Sequence, residues 1–132
     1  MLVPLFAAIA PFIIWPIEIF FPYPHIVEEL TKGLLVFLLL RSFSSTSKIS
    51  GTFLIGFLFA ISETVLYLFN ILPSGNPQTL LLRLTLTMPM HIITTYVIFT
   101  FASIDKRLIF LGIIIAVFIH YFFNVYVPLI KI

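Results

Sequence analysis

The chain has 132 residues, of which 61% are hydrophobic and 9% are charged, and its mean hydropathy is +1.23. This composition leaves too little polar surface to cover a water-soluble globule, so we expect an integral membrane protein. The chain has no cysteine, which excludes disulfides, thiol nucleophiles and thiolate metal sites. The net charge of +2 says little about partners. We expect the protein to contact the lipid bilayer, and we do not expect it to bind nucleic acid.

The apolar segments predict an all-α fold, a polytopic membrane helical bundle of about five transmembrane helices. Each segment has the roughly 17 to 25 residues that a hydrocarbon core of about 30 Å requires. In chain order the predicted spans are Leu2 to Phe21, His25 to Leu40, Gly51 to Asn70, Thr79 to Ala102, and Leu108 to Ile130. The first span is too long for a signal-peptide core and lacks a basic start, which indicates a retained helix. We predict one domain, residues 1–132, with a motif-bearing core at about 24–130.

Lysine and arginine in the short loops predict the orientation. Arg41 and Lys48 lie in one predicted loop, and Lys106 and Arg107 lie in another on the same side of the membrane. Cytoplasmic loops carry an excess of basic residues. The expected protein is therefore a multi-pass protein of the cell membrane, with its N-terminus in the cytoplasm and its C-terminus outside.

Ionisable residues interrupt four of the apolar segments. Glu28 and Glu29 open the second span, Glu63 lies in the third, His91 in the fourth and His120 in the fifth. Such groups cost at least about 2.5 to 3.5 kcal/mol each at membrane depth, so they usually face a partner, a cavity or a substrate. The rise of a helix places most of them at similar depths below the outer surface.

The side chains on one helix face support a single site. His120 and Asn124 are four residues apart, as are Glu28 and Lys32, so each pair shares one face of its helix. We expect one polar cavity open to the outer side, with these members: Glu28, Glu29, Glu63, His120 and Asn124. His91 is the residue least expected to join it.

Three motifs carry a resemblance to a known family: EExxK at Glu28, Glu29 and Lys32, FxxxE at Phe59 and Glu63, and HxxxN at His120 and Asn124. In this order they resemble the PrsW branch of the CPBP (CAAX protease and bacteriocin-processing, or Abi) superfamily. Those proteins are polytopic intramembrane peptidases, described as metal- or glutamate-dependent. The main superfamily pattern has a histidine where this chain has Glu63, which favours the PrsW branch.

The resemblance implies an endopeptidase that hydrolyses a peptide bond of a membrane-anchored protein. By this resemblance Glu28 is the leading water-activating group, and Glu29 shares its proton or orients the water. Lys32 limits the cost of the paired charges. His120 and Asn124 donate to the oxyanion, as the HxxxN motif is thought to do.

A divalent metal is the competing arrangement. Glu63, His91 and His120 form a carboxylate and two imidazoles, a set that suits Zn²⁺ or another divalent metal with one open position. The sequence leaves open whether water is activated by a metal or by glutamate alone. It also leaves open the substrate and the oligomeric state.

Each feature also has a structural interpretation. The Glu28 and Glu29 side chains can extend to the interface, and Lys32 can be a counter-ion. His91 can be a packing residue, and His120 with Asn124 can clamp two helices together. The remaining expectations of this kind are a buried Glu63 bonded to Arg83 or Tyr67, solvated interfacial Glu18 and His25, and a helix contact surface of small residues at Gly56 and Ala60.

Two other functions fit the same residues. A small proton or ion carrier could use the glutamates and histidines as a relay, although neither an inverted repeat nor a pair of broken helices is evident. A catalytically silent binding scaffold of the same fold is the third hypothesis. Its polar residues would then serve packing alone.

Overall fold

The computed structural model describes residues 2–42, 45–71 and 77–126. They form five α-helices and one short 3-10 turn: α1 (Leu2–Phe20), α2 (Pro24–Ser42), α3 (Ser45–Ile71), α4 (Pro77–Ile104), the turn Lys106–Leu108 and α5 (Ile109–Tyr126). No strand occurs within these ranges. The all-α bundle predicted from the sequence is confirmed.

Four of the helices, α1, α3, α4 and α5, are long and apolar enough to cross a membrane. The predicted second span, now α2, has 19 residues but is more polar, because it carries Glu28, Glu29, Lys32 and Arg41. Four apolar candidate spans therefore stand where the sequence predicted about five. Helix α2 is held in the bundle by its packing against the other four helices.

Helix α2 buries the charged side chains of Glu28, Glu29 and Lys32 and exposes three of its leucines. Glu29 and Lys32 are 0% exposed, whereas Leu30, Leu34 and Leu38 recur every fourth residue on the surface. A water-soluble helix shows the reverse pattern, with its apolar stripe towards the core. The pattern fits a helix whose outer face meets lipid and whose inner face meets polar groups of the protein.

This helix also joins the two apolar cores of the bundle. Leu35 and Leu39 pack with residues of α1 and α3, and Val36 packs with residues of α4 and α5. Helix α3 packs mainly on α1 and α4, and α5 packs on α4 and α2. As a result, α2 is the helix whose inner face reaches both α4 and α5.

Helices α3 and α4 approach closely at Gly56. A Cβ atom placed on Gly56 would lie 2.7 Å from the Cα of Ile92 and 2.9 Å from the carbonyl oxygen of His91. Only glycine permits that approach without a shift of the α4 backbone. Ala60, one turn later, is 0% exposed, so the predicted contact surface of small residues is confirmed.

The basic residues that predicted the orientation lie at one end of the bundle. Arg41 is in the last turn of α2, and Lys106 and Arg107 lie between α4 and α5. The Tyr96 hydroxyl donates to the carbonyl of Ile49, which joins the late part of α4 to the early part of α3. The orientation of this end relative to the membrane stays a prediction, and most of the predicted outer loop at 71–78 lies outside the described residues.

Candidate functional site

The buried ammonium of Lys32 is the centre of a polar cluster within the bundle. Its Nζ lies 2.6 Å from Oε1 of Glu29, 2.8 Å from Oγ1 of Thr94 and 3.1 Å from Nδ1 of His91. The bonds to Glu29 and Thr94 hold whichever ring nitrogen of His91 carries the proton. Lys32 thus has the counter-ion position expected of it and also ties α2 to α4.

Glu29 connects Lys32 to the histidine of α5. Its Oε1 accepts a hydrogen bond of 2.8 Å from Nδ1 of His120. Since a carboxylate can only accept, Nδ1 of His120 is the protonated nitrogen, and in the neutral ring Nε2 then has a free lone pair. When one ring nitrogen of a histidine binds a metal, the other nitrogen usually donates a hydrogen bond to a carboxylate or a similar acceptor, as it does here.

His91 lies within the cluster, although the sequence marked it as the residue least expected to join, so that expectation is wrong. Its Nε2 contacts Oε2 of Glu63, and its ring packs edge-on against His120 at 5.2 Å between centroids. The carbonyl of His91 accepts from the Thr95 hydroxyl at 2.6 Å. The close contact at Gly56 explains the placement, because it brings this turn of α4 against α3.

The donor atoms that could hold a metal come from three helices. Glu28, His91 and His120 each offer one ligand atom, and these atoms lie within 4.8 Å of one another. The sequence named Glu63 as the carboxylate of this set, and the structure instead groups Glu28 with the two histidines. The packing explains the change, because α2 contacts both α4 and α5, whereas α3 reaches His91 but packs away from α5.

The charge of the cluster also favours a cation. Glu28, Glu29 and Glu63 supply three carboxylates around the one ammonium of Lys32. Buried charge must be balanced, and with neutral histidines the excess of two negative charges requires protons or a cation. Oε2 of Glu28 is buried and has no hydrogen-bond partner among the described residues, although it lies 3.7 Å from Nδ1 of His120. The residues present therefore fit a divalent metal.

A cavity of about 170 Å³ opens beside this cluster, between α1, α2 and α3. Glu28 and Glu63 both line it, and so does Glu18 from α1. The expectation of a solvated side chain is wrong for His25, and Glu18 is only partly exposed. Glu18 is half-buried with a buried Oε1, and His25 is 7% exposed with its ring 6.0 Å from that of His120.

The predicted residues differ in how fully they join the site. Four of the five, Glu28, Glu29, Glu63 and His120, come together with His91. Asn124 is exposed on the last turn of α5, one turn beyond His120. Two partners were predicted for Glu63. Tyr67 lines the same cavity as Glu63, and the side chain of Arg83 lies outside the described residues.

Two contributors were missed by the sequence interpretation, Glu18 and Thr94. Only the short connection between α1 and α2 hinted at Glu18, since it returns the chain so that the end of α1 lies beside the start of α2. Thr94 gave no signal beyond its position three residues after His91. Its role depends on the depth to which Lys32 extends, which is a property of the packed bundle.

The chain matches the model of a known protein family. The model of the PrsW family intramembrane metalloproteases matches residues 14–132, which include all the residues of the cluster. No curated protein and no solved structure matches the chain significantly. With a match over most of its length and a buried set of carboxylates and imidazoles between apolar helices, the chain belongs to the PrsW family of intramembrane metalloproteases.

Proposed function

We propose that this protein is an endopeptidase that cuts a membrane-anchored protein, using a water molecule activated at the cluster between α2, α3, α4 and α5. The observation that carries the proposal is the convergence of Glu28, His91 and His120, whose donor atoms lie within 4.8 Å of one another in a buried setting. The likeness of the motifs to the wider CPBP superfamily supports the same reaction class.

Glu28, His91 and His120 would hold the metal. When bound, a divalent cation such as Zn²⁺ supplies Lewis-acid chemistry, polarising the scissile carbonyl and making a water molecule more acidic. Glu29 supports this set without being part of it, because its bond to Nδ1 of His120 fixes the ring and leaves Nε2 for a ligand role. Lys32 holds Glu29 in turn at 2.6 Å.

Glu63 is the carboxylate placed to transfer protons. It lines the cavity, its side chain is 14% exposed, and it contacts His91. In the proposed reaction it accepts a proton from the attacking water as the oxygen bonds to the carbonyl carbon. It then returns the proton to the amide nitrogen as the carbon–nitrogen bond breaks. Asn124 remains the proposed donor to the oxyanion for a substrate lying along the end of α5.

A metal-free arrangement uses the same residues with Glu28 as the base, as the sequence suggested. The two arrangements differ in what Glu28→Gln does. If Glu28 is a ligand, Glu28→Gln loses both bound zinc and cleavage. If Glu28 is the base of a metal-free site, the wild-type protein binds no zinc at the cluster and Glu28→Gln loses cleavage alone. In either case the cleavage rate should fall by about 10² or more, the usual contribution of general acid–base catalysis.

The decisive experiment combines cleavage with metal content. Purified protein in lipid vesicles is incubated with a library of single-span membrane substrates, and bound zinc per molecule is measured on the same samples. Glu28→Gln and Glu63→Gln are compared with Asp105→Asn, which removes one acid from the exposed turn between α4 and α5. We expect Glu63→Gln to keep zinc but lose cleavage, and Asp105→Asn to keep both.

Other outcomes would favour the other hypotheses. If zinc-loaded wild-type protein cuts no substrate but vesicles show proton flux that Glu28→Gln abolishes, the protein is a proton carrier. If neither cleavage nor flux occurs and Glu28→Gln only stabilises the fold, it is a binding scaffold. In the predicted orientation, with the N-terminus in the cytoplasm of the cell and the C-terminus outside, the cavity opens towards the outer side and the cut lies near that face.

A further inference from the structure

The cavity between α1, α2 and α3 has a wall that the proposed chemistry does not use. Glu18 lies on α1, lines this cavity and is not one of the three residues Glu28, His91 and His120. Its Oε1 is buried and has no hydrogen-bond partner among the described residues. A carboxylate in this position carries charge into a cavity without a role in the reaction described above.

The lining of the cavity is acidic and aromatic. Glu18, Glu28 and Glu63 contribute carboxylates, and Trp15 and Tyr67 contribute aromatic rings. No lysine or arginine is among the described residues that line it. Carboxylates and aromatic faces together attract cations. Glu28 strengthens this argument, because it is 5% exposed and its Oε2 lacks a hydrogen-bond partner among the described side chains.

The size and position of the cavity narrow the kind of cation. Its volume of about 170 Å³ equals that of about five or six water molecules, each of which occupies about 30 Å³ in the liquid. The side chain of lysine beyond Cα has a comparable number of heavy atoms. The cavity lies near the end of α1 and the start of α2, close to the predicted membrane surface. Basic side chains of single-span proteins extend to that depth.

We propose that this cavity receives a lysine or arginine side chain of the substrate, and that Glu18 is the specificity-determining residue that recognises its charge. This proposal rests on the proposed peptidase function. Glu18 faces the cavity from α1, while Glu28 and Glu63 lie on its other walls beside the histidines. The basic side chain would therefore fix the substrate next to the residues that activate water.

A binding measurement tests the cavity without using catalysis. Trp15 lines the cavity and is the one tryptophan of the chain, so the fluorescence of the protein reports on the surroundings of this residue. The probes are the N-acetyl methylamides of lysine and of norleucine, which have similar chain lengths and differ in the ammonium group. We expect a saturable change with the lysine probe and none with the norleucine probe. Glu18→Gln should weaken binding by about tenfold or more, the factor set by one charge-assisted hydrogen bond.

A cleavage measurement tests the specificity. Two single-span substrates differ by lysine or norleucine beside the scissile bond, and the ratio of their kcat/KM values is compared between variants. Glu18→Gln should lower this ratio by about tenfold or more, while Asp105→Asn at the opposite end of the bundle should leave it at the wild-type value. Glu18→Gln preserves the size of the side chain, and thermal unfolding of each variant checks that it folds.

The two measurements separate this proposal from the peptidase function. If substrates are cut without preference and Trp15 does not respond to lysine, the cavity is not a basic subsite while the peptidase function stands. A Trp15 response that depends on Glu18, without cleavage of any substrate, would retain the cation site and overturn the peptidase function together with the subsite role. Equal binding of both probes overturns the recognition of charge.

Discussion

Replacing Gly56 with alanine tests whether the close contact of α3 and α4 positions the catalytic cluster. The new Cβ would lie 2.7 Å from the Cα of Ile92, 2.9 Å from the carbonyl oxygen of His91 and 3.0 Å from Oγ1 of Thr95. The first distance is about 0.8 Å shorter than the optimum of about 3.5 Å for two carbon atoms. Because the two nearest atoms belong to the backbone of α4, no side-chain rotation relieves the overlap, and α4 must move.

The displacement should affect activity more than stability. Overpacking a core costs about 1 to 3 kcal/mol, and replacing glycine by alanine within a helix returns up to about 1 kcal/mol. The net loss in the free energy of unfolding is therefore about 0 to 3 kcal/mol. A misplacement of about 1 Å can lower a catalytic rate by about 10². Since the shift occurs at the turn that carries His91, we expect a loss of roughly 10- to 100-fold in cleavage rate.

Gly51→Ala is the matched control on the same helix. Its new Cβ would meet Cδ1 of Leu39 at 2.7 Å, the far end of a flexible side chain that can shift. The cleavage rate, the zinc bound per molecule and the thermal unfolding temperature are measured for both variants in the same detergent. Gly51→Ala should retain the wild-type rate. If Gly56→Ala also retains it, or if both variants lose it equally, the contact at Gly56 does not position His91.

Three further predictions concern the support of the site, the oxyanion and the topology. Glu29→Gln should weaken zinc binding by about 10- to 100-fold, measured by competition with a chelator, because Glu29 orients His120, and wild-type affinity would contradict that role. His120→Ala should abolish zinc binding, whereas Asn124→Ala should keep zinc and lower the cleavage rate by up to about 10² to 10³. If both variants lose zinc equally, Asn124 does not act as the oxyanion donor. Because the chain has no native cysteine, cysteines introduced at 71–78 should react with an impermeant reagent from outside and Ser45→Cys should not, and the opposite pattern reverses the orientation.

Hydrophobic composition predicted the class and the helices of this protein, because spanning a membrane requires long apolar segments with internally bonded backbones. It predicted α2 as well, although this helix is more polar than the other four. The charges of this helix lower its hydropathy, yet three of them, Glu28, Glu29 and Lys32, are buried, and Leu30, Leu34 and Leu38 face outwards. A hydropathy criterion counts the residues of a segment without regard to the face on which they lie.

The sequence also predicted most of the residues that converge, since an ionisable group in an apolar segment needs a partner. It could not assign their roles. Glu28 and Glu63 are both carboxylates in predicted membrane spans, and only the arrangement of the helices shows that Glu28 lies near both histidines while Glu63 lies near one. The order of the helices along the chain does not determine which non-consecutive helices become neighbours.

The sequence alone determined the class of the protein and the types of its polar residues. It indicated an all-α membrane bundle, glutamates and histidines within apolar helices, and a glycine suited to close helix packing. Position was decided by the tertiary structure. The contact at Gly56 brings His91 into the cluster, the short turn before α2 brings Glu18 to the cavity, and the end of α5 leaves Asn124 exposed. These outcomes depend on contacts between helices that are distant in sequence, and their geometry is fixed only when the side chains of all five pack together.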